Sequence, residues 1–187
     1  MMEKAMRYWA ALLMVCSTPA AAQDMSMFET GPVFADFGPH AAIEGVAEFP
    51  ADTKFAHSFD VATKADGQRR NRGFESAARF INMHAANGVD PARIETAVVV
   101  HGSAVLDLLT DEALAARASE DEDVEPNASG DMVREMLAKG VRFIVCGQSA
   151  AGQGVAREDL IPDVEMALSA MTAHARLQQQ GYTVNPF

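Results

Sequence analysis

The sequence predicts an α/β fold, with helices on both faces of a mainly parallel sheet of about five strands, in three layers. Three observations predict it. Two short segments, Ala97-Val98-Val99-Val100 and Phe143-Ile144-Val145, are wholly apolar, as expected of strands covered on both faces. Between such runs lie stretches whose apolar residues recur every three or four positions, the helical period. Glycines punctuate the alternation where helices should stop, at Gly88, Gly140 and Gly181.

In order along the chain, residues 23–52 carry Gly31-Pro32, Gly38-Pro39 and Phe49-Pro50. They read as an irregular lead-in with at most short extended pieces. The domain proper is expected over residues 53–187. Residues 54–62 read as a strand through Phe55, Phe59 and Val61, closed by the turn signal Asp66-Gly67. From Arg69 to Asn87 the apolar set Phe74, Ala77, Ala78, Ile81 and Ala85 predicts a helix. A buried strand is expected at 94–100, a short helical stretch at 104–117, a helix at 131–139 and a second buried strand at 141–145. Residues 164–168 form a shorter candidate strand, which a longer helix could absorb. Ser169 caps a helix running to Gln180, and residues 182–185 can form a last strand. The methionines at 132, 136, 166 and 171 read as core.

Residues 1–22 read as a targeting segment rather than as part of the fold. Lys4 and Arg7 precede an apolar stretch, Trp9 to Cys16, that is too short to span a bilayer. Ala20-Ala21-Ala22 supplies an Ala-x-Ala cleavage site, so a periplasmic mature chain of 165 residues starting at Gln23 is expected. An uncleaved anchor is the alternative. A lipoprotein reading on Cys16 meets Val15 where Gly, Ala or Ser normally stands. The formal net charge is −11, and losing Glu3, Lys4 and Arg7 makes it −12. That balance argues against nucleic acid, which needs a positive footprint, and against anionic lipid surfaces. Part of the excess is one run, Glu120-Asp121-Glu122-Asp123 with Glu125, which reads as a solvated loop.

With Cys16 removed, Cys146 is the only cysteine, so no internal disulfide can form. In a parallel sheet, ligands collect at the carboxyl ends of strands. Two such ends carry reactive side chains: His101-Gly102 after one buried strand and Cys146-Gly147 after the other. If those strands are neighbours, imidazole and thiol face one crevice. A thiol reacts as thiolate and needs surroundings that favour negative charge. Gly147-Gln148-Ser149 offers a tight turn, successive N–H groups and two side-chain donors. Cys146 is equally readable as a small core residue, and His101 as a hydrogen-bonded strand cap. His40, His57, His84 and His174 show no ligand spacing, so no metal site is expected. No nucleophile elbow, Walker loop or dinucleotide fingerprint is complete, and no cofactor is expected.

Three segments together are distinctive: Val98-Val99-Val100-His101-Gly102; Phe143-Ile144-Val145-Cys146-Gly147-Gln148-Ser149 with Gly154-Val155; and Leu168-Ser169-Ala170-Met171-Thr172 running to Leu177-Gln178-Gln179-Gln180-Gly181-Tyr182. Over residues 53–187 the chain resembles the DsrE/DsrF-like sulfur-relay family, and more narrowly an exported bacterial branch of it. The resemblance implies an α/β sandwich that assembles into homo-oligomers, often trimers or hexamers. It implies sulfur carried as a persulfide on a cysteine, with Cys146 at a matching cysteine position and His101 at the matching His-Gly. Two functional classes stay open. One is a carrier or sulfurtransferase component acting through Cys146 and His101, with Gly102, Gly147, Gln148 and Ser149 binding, and with a protein as sulfur donor or acceptor. The other is a non-catalytic homo-oligomeric module that binds a small anion or a partner.

Overall fold

A computed structural model describes residues 25–119 and 124–185 of the chain. The expected targeting segment and residues 120–123 of the acidic run lie outside the described residues. The lead-in holds a two-residue ribbon, β1 (Phe28–Glu29) paired antiparallel with β2 (His40–Ala41). Then follow β3 (Phe55–Val61), α1 (Arg72–Ala86), β4 (Ile94–Val100), a 3-10 segment (Gly102–Leu108) and α2 (Asp111–Ala115). The chain continues through α3 (Gly130–Ala138), β5 (Arg142–Cys146), α4 (Gly147–Gly152), β6 (Glu165–Ala167), α5 (Ala170–Gln179) and β7 (Thr183–Asn185).

The main sheet has five strands, all parallel, in the order β6-β5-β4-β3-β7. From β3 to β6 each strand is laid beside the last, and α5 then carries the chain back across the sheet to the far edge. Helices α1 and α3 cover one face. There Phe74 of α1 meets Phe143 of β5 edge to face, ring centroids 5.2 Å apart, over Phe59, Val98, Val100 and Val145. Helix α5 covers the other face, packing Ala173 and Leu177 on Ala97, Val99 and Ile144. The run Ala97–Val100 is fully buried because successive side chains serve opposite covered faces.

Phe34 and Phe37 of the lead-in belong to the larger core. Asn82 of α1, fully buried, ties them down. Its Oδ1 accepts from the N–H groups of Val33 (3.1 Å) and Phe34 (2.9 Å), and its Nδ2 donates to the carbonyls of Phe34, Phe37 and Gly38.

The structure differs from the sequence reading in three places. The helix expected at 104–117 is split, because Leu109 is extended and bridges Leu160, and Thr110 then caps α2 by accepting from the Ala113 N–H. The polar segment after Cys146, expected to offer a tight turn, runs on as helix α4, with Cys146 itself at the N-cap. Met171 is not core: it is 80% exposed, because α5 turns its 173/177 face to the sheet.

Candidate functional site at the carboxyl edge of the sheet

Strand register determines which side chains meet. Asp60 pairs with Val99, Val100 with Val145, and Cys146 with Ala167, so the carboxyl ends of β3, β4, β5 and β6 lie side by side. Side chains alternate across a strand, which puts Asp60, Val99, Ile144 and Cys146 on one face, the face under α5. His101 follows β4 with the same parity. Helix α5 adds His174, which lies beside Ala170 and Ala173 on the helix side turned to the sheet. These residues line a cleft of about 360 Å3, with exposed Gln148 and Met171 at its mouth.

Asp60 joins the two imidazoles. Its Oδ2 is 3.0 Å from Nε2 of His101, and its Oδ1 is 2.7 Å from Nε2 of His174. A carboxylate only accepts, so both histidines donate from Nε2. Burial pushes the Asp60 carboxyl up, but the hydrogen bonds and charges of the two histidines outweigh it and hold it below the usual carboxylate range. The Nδ1 atom of His174 is buried and has no hydrogen-bond partner.

Cys146 is 5% exposed and forms part of the cleft wall. Its Sγ accepts from the Ser149 N–H at 3.5 Å. Burial pushes the thiol up, but the Ser149 hydroxyl and the N–H groups of Ser149, Ala170 and Gln148 outweigh it, and the thiol lies below its ordinary value. These donors come from the first turns of two helices, α4 and α5, whose free N–H groups favour negative charge. Ser149 is itself oriented, since its Oγ accepts from the Gly102 N–H at 3.0 Å. A relay thus runs from the loop after β4, through one hydroxyl, to the sulfur.

The family model matches residues 54–186 of the 187. The chain belongs to the DsrE/DsrF-like family. Two solved structures are similar to it. One is a protein of unknown function, MTH1491 from Methanobacterium thermoautotrophicum, at 18% identity and a TM-score of 0.47, covering 71% of this chain and 98% of that one. The other is the ychN protein from E. coli, at 15% identity and a TM-score of 0.46, covering 70% and 100%. No curated protein matches the chain. Membership in the DsrE/DsrF-like family suggests a function related to sulfur relay.

Within this DsrE/DsrF-like domain the sequence-selected residues come together unequally. Cys146, His101 and Ser149 share the cleft, although the hydrogen bond from His101 Nε2 goes to Asp60 and not to the thiol. Gln148 turns its side chain to the Leu168 carbonyl (3.2 Å) and leaves its backbone N–H to the sulfur. The two glycines act through close approach. A Cβ on Gly147 would lie 2.8 Å from the Ala167 carbonyl oxygen. One on Gly102, where φ is +55°, would lie 2.7 Å from that of Ala62.

Sequence reasoning missed Asp60, His174 and the Ala170 N–H. Asp60 carried a signal, being the one carboxylate in the strand Phe55–Val61, one residue from its end. His174 carried none, because its place depends on how α5 docks on the sheet. Among the described residues, no three or more His, Cys, Asp or Glu side chains are grouped so as to hold a metal ion.

Proposed function

We propose that this DsrE/DsrF-like protein is an exported carrier of sulfane sulfur, or a sulfurtransferase component, that holds the sulfur as a persulfide on Cys146. The observation that carries this reading is the sulfur's setting. Cys146 lines a cleft, its Sγ accepts from the Ser149 N–H, the donors at the starts of α4 and α5 favour its thiolate, and an Asp60-linked pair of imidazoles faces the same space. A thiolate is the form that attacks a sulfane sulfur. With a persulfide donor R–S–SH, the Cys146 thiolate attacks the terminal sulfur and a new S–S bond forms on Cys146. The donor S–S bond breaks, and its electron pair leaves with the donor as the thiolate RS⁻. The terminal sulfur keeps its proton, so atoms and charge balance. The new persulfide then loses its proton to solvent, and the same N–H groups stabilise the anion that remains. His101, with a side chain 30% exposed, lines the same cleft and is the polar group that meets the leaving thiolate.

The donor or acceptor is a protein that approaches the cleft mouth, where Met171 is 80% exposed. The chain assembles as a homo-oligomer, a trimer or hexamer, in the periplasm after cleavage behind Ala22. The acidic balance of 26 Asp and Glu against 15 Lys and Arg supports neither nucleic acid nor an anionic membrane as a partner.

The test is to incubate purified protein with polysulfide, remove the excess and take intact and peptide mass spectra. A mass increment of one sulfur atom on the Cys146 peptide, removed by cyanide and absent from Cys146→Ser, is expected. An unmodified Cys146 peptide in protein that remains folded would replace this reading with the oligomeric binding module.

A further inference from the structure

The same sheet edge carries a second cleft, of about 470 Å3, between the end of β3 and the start of α1. Lys64, Arg69, Arg70 and Arg72 line it, so four of the chain's 15 cationic side chains fall within nine residues of a strongly acidic protein. Among the described residues none of the four pairs with a carboxylate within 4 Å. Of the two acidic residues on its wall, Asp66 and Asp60, the latter has both oxygens taken by histidines. Unpaired like charges converging on a concave surface repel one another, an arrangement that an anion relieves.

The segment that carries them is held firmly. Buried Asp107 accepts from the Ala65 N–H (2.8 Å) and from Asn71 Nδ2 (2.7 Å). Buried Asn71 also donates to the Thr63 carbonyl, and the Lys64 N–H donates to Ser103 Oγ. Arg70 is fixed by its bond to the Asp36 carbonyl (2.8 Å) and by lying over the Phe37 ring. The α1 amides of Gly73 and Phe74 are already satisfied by Asn71, so recognition falls to the guanidinium forks. Such forks suit the oxygens of phosphate-like groups.

We infer that this cleft binds a doubly charged tetrahedral oxyanion, free or carried on an organic molecule. The inference does not rest on Cys146.

It is tested by titration calorimetry on the full chain carrying Cys146→Ser, at constant ionic strength. Sodium phosphate, sodium thiosulfate and glycerol phosphate are the probes, and sodium chloride is the control. Saturable binding in the millimolar range or tighter is expected for the oxyanions and not for chloride. It should weaken by at least about tenfold in Arg69→Gln/Arg72→Gln, separately in Lys64→Gln, and stay unchanged in Arg157→Gln. Tighter binding of glycerol phosphate than of phosphate assigns an organic carrier, and the reverse assigns the free ion. Unsaturable heats, or a double variant that binds like its parent, overturn the inference. Because sulfur loading is read on Cys146 and anion binding on a chain without it, the two readings fail separately.

Discussion

Cys146 Sγ is a single atom whose behaviour depends on groups from three parts of the chain. Gly102 directs the Ser149 hydroxyl, α4 supplies two amides and α5 a third. Removing the hydroxyl by Ser149→Ala takes one donor from the thiolate and leaves the Gly102 N–H without its partner. The thiol then titrates higher, and its alkylation at neutral pH slows by roughly twofold to tenfold, the size of one hydrogen bond. Iodoacetamide rates for the two proteins, compared at one pH, check this. An equal rate would mean that the amides alone hold the thiolate. At this scale the sequence was legible for the thiol and for the neighbouring His101, because strand ends in a parallel sheet announce themselves. It was silent on the Ala170 amide and on His174, since both reach the site only through the docking of α5.

Elements differ in what secures them. Helix α1 holds the lead-in through one side chain, Asn82, which makes five hydrogen bonds to backbone groups of Val33, Phe34, Phe37 and Gly38. Asn82→Ala orphans these groups beside Phe34 and Phe37 and should lower unfolding stability by about 2–4 kcal/mol. Urea unfolding of both proteins measures it, and a loss below about 0.5 kcal/mol would show that the lead-in contributes little. The Asn82 role could not be read from sequence, where an Asn on the buried helix face looks like a fault in the apolar pattern. The strands were readable because Ala97–Val100 and Phe143–Val145 lack the alternation of a half-exposed strand. Strand order was not, because nothing in β7 itself says that α5 carries it past β5 and β4 to pair with β3. The extent of helix α4 is not legible in the sequence because its six residues are too few to display a period.

For the whole molecule, the carboxyl edge of the sheet gathers the thiol, the Asp60-linked imidazoles and a set of cationic side chains. The thiol cleft and the cationic cleft both open there and share Asp60 as a wall. A fold that spends α1 and α3 on one sheet face and only α5 on the other leaves room for a cleft beside α5, and that asymmetry is where Asp60, His101, Cys146 and His174 meet. The central claim is that Cys146 is an accessible, acidified thiol and not a core residue. Its most direct test is iodoacetamide alkylation of the native protein between about pH 5 and 9, read at the Cys146 peptide by mass spectrometry. Because the folded thiol lies below its ordinary value, thiolate persists to lower pH. The account therefore predicts labelling of folded protein with a rate midpoint below the value of about 8.5 for a free cysteine. Labelling that occurs only after denaturation would contradict it.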